Sequence, residues 1–245
     1  MTAWMPWKIA RKEWRVIRRK KSIIFYTVAL PLLMAVLFSL VIRNQVASGI
    51  PSAQQLQLGA ESIIYLYVVL AAVLPSTIAA YSIVGEKIEK TLEPLLATPT
   101  TDGEILLGKS IAAFLPPMLS TWAGVSIFMA VADYILYNAG LGYYYFPNWN
   151  AGVILLILAP LAAIFSVEVG VIASSRVSDV RGANQISGLM FIPFMAVFVA
   201  GVEGIITLSI DTFLVFSIGV LIVDLALYFV STRTFRREEI LTKWK

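Results

Sequence analysis

The chain contains no cysteine and no histidine. Without cysteine there is no disulfide framework, no thiol nucleophile and no thiolate metal site. Without histidine, Ser-His catalysis, HExxH zinc centres and imidazole proton relays are excluded together. Charge is scarce as well. Asp, Glu, Lys and Arg make up 14% of the 245 residues, whereas apolar residues make up 59%. Soluble domains run at about 25% charged and roughly 45–50% apolar. A core of this size cannot hide that excess, so the composition is that of an integral membrane protein. It excludes a soluble enzyme, a disordered chain and a nucleic-acid binder.

Six continuous apolar runs are long enough to cross a hydrocarbon layer of about 30 Å as helices. They fall near residues 22–42, 62–84, 110–132, 151–173, 186–206 and 211–231. A membrane β-barrel would show short alternating segments instead. The expected fold class is all-α, a six-helix transmembrane domain over 22–231 with a basic tail at 232–245. Five of the six runs contain proline, at Pro31, Pro75, Pro116 with Pro117, Pro160 and Pro193. Each removes a helix hydrogen bond and tends to kink its span.

The basic residues set the expected orientation. Eight lie in segment 1–21, three in loop 85–109, two in loop 174–185 and five in the tail, while the opposite loops hold only Arg43. This split places both termini in the cytoplasm and accounts for the net charge of +4 without nucleic acid. Segment 1–21 has no small-residue cleavage site after a short apolar core, so it is no cleavable signal peptide. Trp7, Ala10, Trp14 and Ile17 share one face of a helix, with Lys8, Arg11, Arg15 and Arg18 around the rest. The pattern predicts an amphipathic helix on the inner membrane surface. The outward loops, 43–61 and 133–150, are too short for an external domain. Tyr143 to Phe146 and Trp149 read as an interfacial aromatic belt.

One motif match fails on context. Gly103-Glu-Ile-Leu-Leu-Gly108-Lys109-Ser110 fits the nucleotide-binding pattern G-x-x-x-x-G-K-[ST]. That chemistry needs a loop between a strand and a helix, with backbone N–H groups wrapped round phosphates. No strand precedes it here, and Ser110 opens a membrane span. Loop 85–109 is informative for another reason. It carries five acids against three bases on the side where basic residues dominate. Residues 85–96 predict a helix continuing from the second span, ended by Thr98-Pro99. Asp102 is placed to cap a short second helix over 103–107. Leu95, Leu96, Ile105 and Leu106 give the loop an apolar edge that a solvated hairpin does not need, so the loop is expected to dock a partner.

The run Gly85-Glu86, Glu89, Thr91-Leu92-Glu93, Leu95-Leu96, Thr98-Pro99, then Glu104-Ile105-Leu106-Leu107-Gly108-Lys109 resembles the first cytoplasmic loop of ATP-binding cassette (ABC) transporter permeases of the type-two export class. That family's pattern is E-x-x-x-x-T-L-E-x-L-L-x-T-P followed by I-L-x-G-K. Segment 174–180 with Arg181, Asn184 and Gln185 is similar to the family's second cytoplasmic loop. The resemblance implies a permease of the cytoplasmic membrane without its own ATPase. The chain itself would bind no cofactor; ATP and magnesium would sit on a separate ATP-binding subunit, and two permeases, expected as a homodimer, would assemble with two ATPases. It places the ATPase-coupling interface at Glu86, Glu89, Glu93, Leu95, Leu96, Asp102, Glu104, Ile105 and Leu106. It also implies a re-entrant segment between the last two spans, for which only residues 202–210, with Glu203, are available.

Charged residues at membrane depth are functional candidates, because a charge near the bilayer centre costs about 2.5–3.5 kcal/mol on insertion scales. At the helical rise of 1.5 Å per residue, Asp224 lies about 12 Å and Glu168 about 9 Å from the inner boundary. Glu203, Asp211 and Asp133 fall near the outer boundary, where hydration is cheap. Met190, Phe194, Val197, Phe198 and Gly201 share a face of the fifth span, and the resemblance puts that face beside the translocation cavity. Translocation-cavity candidates are therefore Met190, Phe194, Phe198, Glu203, Asp224 and Glu168. A competing reading is a stand-alone channel or ion-coupled carrier using Asp224 and Glu168, which gives the acidic loop no role. A two-aspartate protease fails, since Asp211 and Asp224 lie about 20 Å apart on one helix.

Overall fold

The computed structural model describes residues 4–49, 53–88, 100–141, 144–177 and 179–234. These residues form helices and no strand, and six of the helices are long and apolar enough to span a membrane. Helix α1 is Trp4–Arg19, α2 is Lys21–Ala47, α3 is Ala53–Ile88 and α4 is Asp102–Leu136. Helix α5 is Trp149–Arg176, α6 is Val180–Val202 and α7 is Ile210–Thr234. The expected spans all fall inside these helices except the end of the fifth. Helix α6 stops at Val202, and residues 203–209 form the connection that the apolar run had hidden.

Helix α3 is the axis of the bundle and the most deeply buried span. It packs on α4 and α5, with α2 outside α4, α7 outside α5, and α6 against α3. The α3–α5 contact is close because residue 170 is glycine; a Cβ there would sit 2.6 Å from the Ala79 Cβ. Ser174 reinforces it. Its hydroxyl donates to the Ala80 carbonyl at 2.7 Å and accepts the N–H groups of Ile83 and Val84. In a lipid-facing protein such internal satisfaction of polar groups is a strong constraint.

The apolar core falls into two clusters, outer and inner by their distance from α1. The outer one contains Tyr65, Tyr67, Phe128, Phe194 and Phe213. The inner one joins Ile9 and Ile17 of α1 to Ile83, Ile105, Leu106 and Val171. At the outer end, Asp133 is buried rather than hydrated: its Oδ1 accepts the N–H groups of Tyr145 at 2.9 Å and Phe146 at 3.0 Å. The aromatic cluster divides accordingly. Tyr144 and Trp149 are exposed, as an interfacial belt requires, but Phe146 is core, and Tyr143 lies outside the described residues.

Kinking prolines leave carbonyls without their helix donors, and tryptophans take their place. Pro116 has no N–H for the Ala112 carbonyl. The Trp14 Nε1–H of α1 donates to that oxygen at 3.1 Å. In the same way Trp122 Nε1–H donates at 2.9 Å to the Leu155 carbonyl, inside the π-helical stretch Ile154–Leu158. We expect Trp14→Phe to lower stability by about 1–3 kcal/mol, the cost of a buried acceptor left unsatisfied. Trp7→Phe, at a partly exposed ring, should cost much less in the same thermal-unfolding measurement.

Candidate functional site

The acidic loop splits at the boundary of what the structure describes. Helix α3 continues past the membrane run to Ile88, consistent with the expected inward extension. Glu89, Glu93, Leu95 and Leu96 lie outside the described residues. On the far side Thr101, not Asp102, is the cap. Its hydroxyl accepts the Glu104 N–H at 3.3 Å, and the Glu104 carboxylate accepts the Thr101 N–H at 2.9 Å. This reciprocal pair satisfies two otherwise orphaned donors. The acidic first turn, with Asp102 and Glu104, also meets the positive end of the helix dipole favourably.

No separate short helix exists here. The helix that starts at Asp102 runs without a break to Leu136, so the expected coupling segment is the first turns of the third span itself. Residues 103–110, which matched the nucleotide-binding pattern, are helical throughout. Ile105 and Leu106, expected to seat in a partner's groove, are instead buried against α1 and α3 within the chain. The reason is helical geometry: positions 105 and 106 lie on the face turned to α1, and the exposed surface consists of Thr101, Gly103 and Leu107, with Asp102 and Glu104 half-exposed.

The apolar face of helix α1 packs in part on the bundle. Ile9, Ala10 and Ile17 are buried against the bundle, flanked by Trp7 and Trp14 in an edge-to-face pair with ring centroids 5.1 Å apart. The approach is close at Gly108, where a Cβ would sit 2.7 Å from the Ile9 Cβ and 2.8 Å from the Pro6 carbonyl oxygen.

Beside this glycine lies a charge cluster that the sequence alone did not single out. Lys109 is completely buried. Its Nζ donates to the Ser82 carbonyl at 2.6 Å and to Glu13 Oε1 at 3.1 Å, and lies 2.8 Å from Glu86 Oε2 in an ion pair. Lys12 Nζ holds the other Glu86 oxygen at 2.7 Å. Lys20 donates to the Tyr81 hydroxyl and lies over that ring. One buried ammonium thus ties α1, the end of α3 and the start of α4 together. Burial raises the Glu13 carboxyl above the usual glutamate range against the pull of Lys109, and the neighbouring Glu86 charge adds to the rise. A signal was present in the sequence: Glu13 is the one acid among the first 21 residues, on the same face as Ala10 and Ile17. Glu86, expected to face a partner, is committed to these internal pairs.

The other candidates separate. Phe194 is enclosed between the rings of Phe165 and Phe216. Phe198 stacks on Tyr65, and Met190 packs on the outer core. The face of α6 expected to line a cavity is therefore the packing face of the single chain. Glu203 is exposed on a tight turn in which Gly204 takes φ +72° and the Ile205 and Ile206 N–H groups both donate to the Ala200 carbonyl. Residues 202–210 thus turn directly into α7 and leave no length for a re-entrant segment. Glu168 and Asp224 lie within the apolar spans α5 and α7, which pack on each other.

An all-helical bundle of six apolar spans among the described residues defines a polytopic membrane protein of the all-α class. A family model described as ABC-2 family transporter protein matches residues 7–244. The chain belongs to the ABC-2 transporter family: it is a multi-pass membrane permease subunit of an ABC transporter, a kind that works with an ATP-binding subunit. Among curated proteins no match is found.

Proposed function

We propose that this permease couples ATP hydrolysis on a separate cytoplasmic subunit to export across the cytoplasmic membrane, as a homodimer with both termini inside. ATP and magnesium belong to the partner. The observation that carries this reading is the unbroken helix α4: a capped, acidic, partner-accessible turn at 101–104 is continuous with a membrane span and braced by α1 through Lys109. At about 1.5 Å per residue, α4 is long enough to carry a displacement of that turn through the whole hydrocarbon layer. Asp102, Gly103, Glu104 and Leu107 are the surface offered to the partner. Glu89, Glu93, Leu95 and Leu96 retain their expected part in the same contact. An acidic, half-apolar surface at the basic end of the molecule has no use in a stand-alone carrier.

Co-expression with an ATP-binding subunit tests the reading. The two chains should migrate together in detergent and hydrolyse ATP. Glu104→Arg with Leu107→Arg should reduce complex formation or coupled turnover by about tenfold, a typical loss when central interface groups are reversed in charge or desolvated badly. Leu107 is exposed, and Glu104→Arg gives up only its half of the capping box, so the stability of the isolated permease should fall by no more than about 1 kcal/mol. A permease that transports without any ATPase, or a double variant that couples normally, would sink the proposal.

A further inference from the structure

Between α4, α5 and α7, at the basic end of the bundle, lies a cavity of about 290 Å³. Its walls are apolar, with Ile111, Phe114, Ile164 and Val171 among them, and Tyr228 closes one side. Glu168 is the one ionisable carboxyl among the lining residues. Its Oε2 is buried with no hydrogen-bond partner. On α7, Asp224 is only 4% exposed, and neither of its carboxylate oxygens has a hydrogen-bond partner. Asp224 precedes Tyr228 and Ser231 of the lining by four and seven residues, so it shares their face of α7, which packs on α5. No Lys or Arg occurs anywhere in 110–175 or 182–232, so these helices supply no positive counter-charge at this depth.

Buried carboxyls without partners are costly, and a ligand that brings the missing positive charge removes that cost. The walls decide what kind of cation fits. A bare metal ion needs several oxygen ligands, typically six or more for the hard cations. The described residues contain no cluster of three potential metal-ligating side chains, and the walls offer phenyl and aliphatic groups instead. Those groups solvate hydrocarbon, and the Phe114 and Tyr228 rings can receive a cation on their faces. The volume is close to the lower end of small-molecule pockets, about 300–1,000 Å³.

We propose that this cavity binds amphipathic organic cations, with Glu168 and Asp224 as the counter-charge and the α4–α5–α7 walls as the apolar receptor. One wall is Leu106 and Leu107, within the first turns of α4, so ligand and partner subunit address neighbouring parts of one helix. Only the sense of the ligand as a transported substrate rests on the function proposed above; binding itself does not.

The test is equilibrium binding of tetraphenylphosphonium to the purified full-length permease in lipid nanodiscs, without any ATPase. Saturable binding is expected. Glu168→Gln and Asp224→Asn should each weaken it by about tenfold or more, as loss of a buried charge partner does. Both substitutions replace a carboxyl that has an unpartnered oxygen by an amide of the same shape, so unchanged or higher thermal midpoints will show that the fold is kept. Ile164→Trp, which fills the cavity and leaves both carboxyls in place, should weaken binding as well. Tetraphenylborate, of the same shape and opposite charge, should not compete. Absence of saturable binding, equal affinity in the Gln and Asn variants, or effective competition by tetraphenylborate would overturn the proposal. So would displacement by sodium or potassium ions at low millimolar concentration, which would mark a metal site. Because no partner is present, none of these results depends on whether ATP coupling is correct.

Discussion

Lys109→Met is expected to lower the stability of the permease by about 3–5 kcal/mol, the penalty for removing one member of a buried ion pair. The side chain it replaces is completely buried and holds three groups from two other helices. Methionine preserves much of the volume but leaves Glu13 without its cation and the Ser82 carbonyl without its donor. Glu86 keeps Lys12, so most of the loss should come through Glu13 and the docking of α1. The distinctive result lies in the combination. Lys109→Met with Glu13→Gln removes both charges, and replacing a whole buried pair by neutral groups is often close to neutral. The double variant should therefore recover a large part of the loss of the single one. Thermal unfolding followed by tryptophan fluorescence reads this directly, since Trp14 is bonded across the same junction. Equal losses in the single and double variants would mean that Lys109 acts by packing alone and that the cluster does not hold α1.

The second large effect is expected at Gly108→Val. The ideal Cβ would meet the Ile9 Cβ at 2.7 Å and the Pro6 carbonyl oxygen at 2.8 Å. Neither is the free end of a flexible chain, so α1 itself must move. Overpacking of this kind costs about 1–3 kcal/mol, and valine adds two methyl groups beyond the Cβ. The absence of cysteine makes the displacement measurable, because spin labels can be placed on a background with no native thiol. Labels at Arg11→Cys on α1 and Gly103→Cys on α4 should report a longer or broader distance when Gly108 is replaced. Both label positions are exposed, and a Cβ at residue 103 meets nothing within 4 Å. An unchanged distance distribution would show that the helix junction does not need a glycine.

These two residues show why part of the site escaped a reading of the sequence. Gly108 and Lys109 stood inside a motif match and a family-like stretch, which drew attention to phosphates and to a partner subunit. Their structural partners, Ile9 and Glu13, lie about a hundred positions away in the chain, and Lys109 and Glu13 are separated by 96. A helix start near residue 102 was legible, but the cap expected at Asp102 lies at Thr101, although the capping box with Glu104 is a local pattern. The continuity of this helix with the span was not legible, because the glycine at 108 looks like a break until the close approach of α1 explains it.

What the sequence determined by itself is everything that sums locally along the chain. Six apolar runs, the all-helical class and the concentration of basic residues at one set of loops follow from composition within windows of about 20 residues, because crossing the bilayer is a property of each segment alone. What only the tertiary structure decided is which side of each helix meets which neighbour. The spans are apolar all round, so hydropathy carries almost no directional signal in them. That is why Ile105 and Leu106 turned out to face α1, why Phe194 packs between Phe165 and Phe216, and why Asp133 is buried under two backbone N–H groups. The pairing of Glu13 with Lys109 has the same origin: charges far apart in sequence find each other only once packing has turned their helix faces together.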